Sequence, residues 1–420
     1  MSRAETDLAY RQAMARAWAI APGVFLAGIG GGIVFPILPL VGLRVGLSLA
    51  FIGLILASNR IGRILFNPVA GSLIDRYGGK SMMVIGLLIE VVVMGMYLLG
   101  VSGGNPGTMF LLGRLLWGPG SALAFVGGQT LALHAAGPEL RGRVTGIVRA
   151  AMGLGTPAGL VVGGVIAGVW GDRAAFEVAM VAALIASAVA LRVVPDLKAP
   201  PGPRRPWSDI VRALADRRIA AVAGLNFMAF FAVQGLVLAT LVLVVAARHL
   251  TLFGMAPETA SGFFLAFMLS ASAAVTPVAG RMADRGRMRA QTAGIGLCIM
   301  IPGLLLLAVA SDAGRLLGAL ILMGIGSGCL SVPLLALLGD LVPPEMRGSA
   351  VGGLQLFGDT GGTIGPILGT AALGAIGLSA PFFIAAGVLA LGLPLAWWLR
   401  GAERRGTATE LRVAVEHARS

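Results

Sequence analysis

The chain has 420 residues, 57% of them hydrophobic and 12% charged, with a mean hydropathy of +0.89; soluble domains carry about a quarter charged residues, so a water-soluble globular fold is excluded. Two cysteines, Cys298 and Cys329, lie inside apolar runs, and the three histidines (His134, His249, His417) have no ligand-spaced neighbours, which excludes a disulfide framework and a soluble metalloenzyme and leaves no metal or cofactor to expect. The net charge of +13 would suggest nucleic acid in a soluble protein, but the basic residues fill short gaps between apolar runs, so their expected partner is a lipid bilayer and not nucleic acid.

The first apolar run begins near Ala17 and extends past Pro36 without a small-residue cleavage site, and is expected to be a retained span, not a removable signal. About 20 apolar residues cross a bilayer. Twelve runs qualify: 17–39, 49–70, 81–101, 108–136, 144–169, 175–194, 218–247, 258–280, 290–311, 315–341, 349–374 and 380–399. The fourth, fifth, seventh and tenth exceed the need and should tilt, kink or protrude. Between the sixth and seventh, Pro200-Pro201-Gly202-Pro203-Arg204-Arg205-Pro206 cannot be helical throughout and reads as a cytoplasmic linker, in which 207–215 forms either a short interfacial helix or a solvated connector. The expected organisation is a six-helix half at 1–194, a linker at 195–217, a second six-helix half at 218–400 and a tail at 401–420.

Lysine and arginine set the orientation. With the N-terminus inside, the cytoplasmic segments hold 24 of the 32 basic residues and the outer ones only Arg44, Arg173, Arg248 and Arg315; both termini are therefore expected in the cytoplasm. The other four, Arg60, Arg63, Arg114 and Arg149, fall within spans.

The chain also repeats. An offset of 206 places Pro138-Glu139-Leu140-Arg141-Gly142 over Pro344-Glu345-Met346-Arg347-Gly348, and Gly146, Gly155, Gly159 and Gly163 over Gly352, Gly361, Gly365 and Gly369; an offset of 209 aligns Gly71, Asp75 and Arg76 with Gly280, Asp284 and Arg285. Two parallel six-helix halves follow, as in transporters built from structural repeats. Small residues every fourth position allow helices to approach closely in lipid, where apolar burial gives no drive. That packing role and a gating role are compatible.

The loop Gly71 to Lys80, "GSLIDRYGGK", resembles the signature loop of the major facilitator superfamily, and "GRMADRGRMR" at Gly280 to Arg289 resembles its second-half copy. Further residues are similar to the drug/proton antiporter branch. The first span carries "GGGIVFPILP", and Arg114 with Gly118 matches the branch's R-x-x-x-G motif. The fifth-span antiporter motif is met at Gly146, Gly155, Gly159 and Gly163, but Leu160 replaces its proline and Pro157 lies three residues earlier; the complete form, with Gly365-Pro366, stands in span eleven. The resemblance implies an all-α fold of twelve transmembrane helices in two pseudo-symmetric halves. It also implies a cytoplasmic gate formed by Gly71, Asp75, Arg76, Gly280, Asp284 and Arg285 with Arg141 and Arg347.

Ionisable groups in hydrocarbon cost about 2.5–3.5 kcal/mol and are functional candidates by default. Glu90 in span three, Asp359 in span eleven, and Arg60 and Arg63 in span two all lie roughly 12–16 Å from the inner ends of their helices at 1.5 Å per residue. Asn59, Arg60, Arg63 and Asn67 form one polar stripe. In the fold that the resemblance implies, Asp359 could bridge to Arg60 or Arg63 and Glu90 could pair with the other. Asp359, Glu90 and Arg114 are the candidates for proton coupling, each with a structural ion pair or buried-arginine role as the alternative; Arg114 is similar to the branch's buried fourth-span arginine. Arg149 lies near the inner end of span five and can snorkel. The acid that many relatives place in span one or four is absent here. Asn59, Arg60, Arg63, Gln129, Asn226, Gln234 and Gln355 are the candidate polar lining of a substrate cavity, with Phe25, Trp117, Phe227, Phe230 and Phe231 as apolar walls.

The expected protein is not an enzyme; no phosphate-cradling G-x4-G-K-[ST] loop is present. It is expected to be a monomeric secondary transporter of the inner membrane, coupling protons to the export of a small amphipathic or drug-like substrate. Movement of an organic anion or other metabolite is the alternative within transporters, because four arginines face two carboxylates in the spans. A membrane sensor or scaffold is the alternative from another class.

Overall fold

The computed structural model describes residues 3–136, 140–196, 215–284, 288–342 and 347–417, and among them every regular element is helical. In chain order these are α1 (Arg3–Val34), α2 (Leu38–Arg44), α3 (Leu49–Tyr77), α4 (Gly79–Val101), α5 (Pro106–His134), α6 (Arg141–Val193), α7 (Arg217–Phe230), a π-helical turn (Phe231–Val237), α8 (Leu238–Ala247), α9 (Pro257–Asp284), α10 (Arg289–Val309), α11 (Ala313–Leu341), α12 (Arg347–Ala375) and α13 (Ala380–His417). Ten stretches of the described residues have the length and hydropathy of a membrane span. One of these, Arg143–Val193, holds two spans, and the Gly-rich α12 adds another, which makes twelve.

Local chemistry sets the helix ends. Ser48, Asn105 and Asp312 each accept a backbone N–H of the following turn, from Phe51, Thr108 and Arg315 respectively, satisfying donors that a helix start leaves open. Inside α6 the chain turns at Gly171, whose φ of 86° lies in the left-handed region; glycine takes that conformation without steric cost. Many large apolar side chains, among them Leu65, Trp170, Ile376 and Trp397, are exposed, as expected where the surrounding solvent is lipid.

The described residues fall into two compact units, one of residues within 1–204 and 238–266, the other of residues within 205–237 and 267–420. Residues 238–266, which follow the linker in sequence, thus belong with the first unit. In that unit Gly155, Gly159 and Gly163 of α6 face the backbone of Phe25, Gly28, Ile29, Gly32 and Ile33 on α1 so closely that any Cβ would collide. In the second unit Gly361 and Gly365 of α12 meet the backbone of Phe227, Phe231 and Gly235 in the same way. A second pair of approaches repeats as well: Gly86 lies against Gly120, and Gly296 against Gly326. The sequence repeat is therefore a repeat of helix contacts, each made by glycine because backbones in lipid adhere through close packing.

Candidate functional site

Within the first unit, three large polar side chains, Glu90, Tyr97 and Arg114, lie buried in the spans. Glu90 and Tyr97 stand seven residues apart, on one face of α4, and Arg114 projects from α5. Glu90 is 6% exposed, Arg114 1% and Tyr97 0%. A glycine makes the room: Glu90 Oε1 occupies the place that a Cβ on Gly30 of α1 would take. Tyr97 is fixed by Phe110, edge-on at 5.8 Å, and by Phe176 at 5.4 Å. The Arg114 guanidinium lies 5.2 Å from the centre of the Phe35 ring, a cation–π contact. Among the described residues Glu90 Oε1, Tyr97 Oη, and Arg114 Nε and Nη2 have no hydrogen-bond partner. Unsatisfied buried polar atoms are costly and infrequent, and four on the adjacent helices α4 and α5 mark a polar cluster in an apolar unit. Glu90 makes no ion pair with Arg60 or Arg63, unlike the pairing considered from the sequence. The reason is the helix order: Glu90 faces α1, whereas α3 packs on α5, with the Gly118 position against the backbone of Asn59 and Arg63. Asn59, Arg60 and Arg63 are partly buried on α3.

In the second unit α7 and α12 bring Asn226, Gln355 and Asp359 together. Asn226 donates from Nδ2 to the Leu354 carbonyl at 2.8 Å, and Gln355 Nε2 lies 3.4 Å from Asp359 Oδ1. Asp359 is fully buried. Gly358 leaves space for the Asn226 amide and the Phe230 ring, and Phe227 and Phe231 stack at 6.3 Å. Gln234 stands in the π-helical turn, a distortion found often at functional positions.

A third polar locus lies at the C-terminal end of α5 and the N-terminal part of α6. A cavity of about 340 Å³ is lined by Gln129, Ala132, Leu133, Thr145, Gly146, Val148 and Arg149. Gln129 lies on the wall of this cavity. Gly146 was expected in a packing motif, yet a Cβ there would touch nothing within 4 Å; the glycine borders open space. Buried Pro157 lies in α6, while Gly352, Gly369 and Pro366 lie on α12.

Of the residues that the family resemblance assigns to a gate, Asp75 and Arg76 are exposed at the end of α3, with Arg76 over the Tyr77 ring at 5.2 Å. The Gly71 position meets nothing within 4 Å, and Gly280 only Val332. Arg285 lies outside the described residues, as do the side chains of Arg141 and Arg347. The 207–215 segment likewise falls almost entirely outside them. Asp284 is 3.8 Å from Arg289, which also pairs with Asp340 and donates to the Ala336 carbonyl. Glu403 accepts the N–H groups of Arg289 and Ala290 at 3.0 and 3.1 Å, capping the start of α10 from α13.

Two groups escaped the sequence reading. Tyr97 gave no signal beyond being a rare tyrosine seven residues after Glu90. The other is an ion cluster inside the first unit: Arg44 at the end of α2 donates to Asp172, which follows Gly171, and to Glu258 on the first turn of α9, each at 2.6 Å. Glu258 is buried, and Thr259 beside it donates to the Gly164 carbonyl at 2.8 Å. Burial raises the Asp172 carboxyl above its ordinary range, with Arg44 opposing the shift. Sparse charges in the short segments between apolar runs were the available signal.

A family model described as Major Facilitator Superfamily matches residues 20–314 and 233–418. The chain belongs to the major facilitator superfamily. Its members are membrane transporters, not enzymes, and this chain is a multi-pass member. It is 26% identical over 389 residues to "Multi-drug resistance efflux pump PmrA" of Streptococcus pneumoniae, covering 90% of this chain and 93% of that one. To "Multidrug resistance protein 1" of Bacillus subtilis it is 30% identical over 168 residues. That match covers 40% of this chain and 42% of the relative, so it spans about two fifths of that protein's length. Among solved structures, the nucleoside transporter NupG superposes with a TM-score of 0.77 at 14% identity, covering 92% of this chain and 99% of that one. That likeness establishes the fold.

Proposed function

We propose that this major facilitator couples protons to the export of small amphipathic, drug-like molecules across the inner membrane by alternating access, with both termini in the cytoplasm. The observation that carries the reading is the pair of buried carboxyls, Glu90 in the first unit and Asp359 in the second, each inside a span. Proton coupling requires a carboxyl whose protonation changes as its surroundings alternate between dry and wet. Around Glu90, Tyr97 and Arg114 carry polar atoms that have no hydrogen-bond partner among the described residues, so a proton or water arriving there as the surroundings turn wet would find bonding groups. Relatives named for multidrug resistance and efflux support the choice of drug-like substrates.

In this reading Asp359 and Glu90 exchange protons, Arg114 answers their charge, and Asn59, Arg60, Arg63, Gln129, Asn226, Gln234 and Gln355 line the substrate path. The halves are 1–194 and 218–400, joined by the linker at 195–217, with a tail at 401–420, in a monomer. Gly71, Asp75, Arg76, Gly280, Asp284, Arg285, Arg141 and Arg347 form the inner gate.

Purified protein in sealed vesicles with an imposed pH gradient tests the coupling, with ethidium as the transported probe. Accumulation against its gradient that stops when a protonophore collapses the pH difference is the expected result. Equal accumulation after collapse contradicts it.

A further inference from the structure

We infer that the cavity between the C-terminal end of α5 and the N-terminal part of α6 is a binding site for amphipathic molecules bearing an acidic head, a carboxylate or sulfonate on an apolar body. The inference deepens the transporter reading and rests on it for the consequence that such acids are carried.

Arg149 is the single charged side chain on the cavity wall, and among the described residues it has no ion pair or hydrogen bond. Its neighbours are occupied elsewhere. Arg143, a turn and a half earlier on α6, reaches the Tyr10 hydroxyl at 3.4 Å, and Arg16 donates to the Ala135 carbonyl. His134, near the same end of α5, holds the Thr130 carbonyl with Nδ1. Thus, among the described residues, Arg143, Arg16 and His134 have protein partners, and the arginine on the wall has none.

The remaining lining suits the rest of such a molecule. Gln129, whose Nε2 lies 3.9 Å from the Met152 sulfur, gives the wall a polar amide, and Ala132, Leu133 and Val148 supply apolar surface. Gly146 keeps the space open, because nothing lies within 4 Å of where its Cβ would be. The volume of about 340 Å³ falls within the range of roughly 300–1,000 Å³ typical of small-molecule sites. A guanidinium favours an acid over its neutral amide because a charge-assisted hydrogen bond is about twice as strong as a neutral one. An amphiphilic acid reaches this place either from the aqueous interior or as a lipid with an acidic headgroup.

The probe pair 2-naphthoate and 2-naphthamide differs only at the head. Equilibrium binding of each, radiolabelled, to the full chain in phosphatidylcholine nanodiscs is expected to favour naphthoate by about tenfold. Arg149→Gln should remove that preference and Arg149→Lys should keep part of it. Gly146→Leu, which fills the cavity where no atom stands, should weaken both probes. Nanodiscs containing phosphatidylglycerol separate the sources: competition with naphthoate assigns the site to lipid heads, and undiminished naphthoate binding assigns it to soluble acids. Equal binding of the two probes to the unaltered protein, or an acid preference that survives Arg149→Gln, overturns the inference. Proton-driven ethidium transport in vesicles is read separately. Its presence without naphthoate preference overturns the acid site alone, and its absence with that preference intact overturns the coupling alone.

Discussion

At the residue scale, the charges held within the helices make two kinds of prediction. Arg44 is half exposed and shared between Asp172 and buried Glu258. Removing the cation leaves two nearby carboxylates, one of them out of water, whereas removing the Glu258 charge leaves Arg44 still paired with Asp172. Arg44→Gln should therefore destabilise the detergent-solubilised protein more than Glu258→Gln does, by about 1–2 kcal/mol after allowance for solvent screening. The double substitution should recover most of the difference in thermal midpoint, and equal losses from the two single variants would contradict this assignment. Asp359 and Glu90 make a different prediction. If they carry protons, Asp359→Asn and Glu90→Gln abolish uphill transport yet retain substrate binding and downhill exchange, because an amide cannot alternate between protonation states. Unfolded protein in place of uncoupled protein would identify a structural role.

At the element scale, the glycine ladders dominate. Gly159 lies so close to Ile29 and Gly32 that no side chain fits, and Gly365 stands likewise against Phe231 and Gly235. Overpacking a close contact costs about 1–3 kcal/mol or more. Gly159→Leu and Gly365→Leu should each lower the thermal midpoint and slow exchange, whereas Gly146→Leu, with open space around it, should leave the midpoint unchanged. Equal destabilisation by all three would contradict the packing described. These ladders were legible in the sequence because helix approach in lipid demands a small residue at every fourth position, and the 206-residue offset showed it twice. The role of Gly146 was not legible: the spacing that places a glycine on a packing stripe gives the same pattern where the stripe runs out into a cavity.

At the scale of the whole molecule, twelve spans and a repeated six-helix plan followed from hydropathy and the duplicated loops, since lipid forces every backbone group into helices. The candidate site was only partly legible. Glu90, Arg114 and Asp359 stood out because charge inside an apolar run is costly, but their neighbours depend on which helices touch. Tyr97, Arg289 and Glu403 carry no such signal, and Glu258 sits at the edge of a run where acids are ordinary. Topology follows the basic residues: cysteines introduced at Gly103 or Ala256 should react with an impermeant reagent from outside, in a background free of Cys298 and Cys329, and one at Pro200 should react only from inside. Labelling of position 200 from outside would reverse the orientation. The most direct test of proton coupling is proton movement itself, followed with a trapped pH dye in weakly buffered vesicles holding the protein and no imposed gradient. Addition of ethidium should drive protons in the direction opposite to its own, in the unaltered protein but not in Asp359→Asn, whereas ethidium flux with no proton movement would contradict the account.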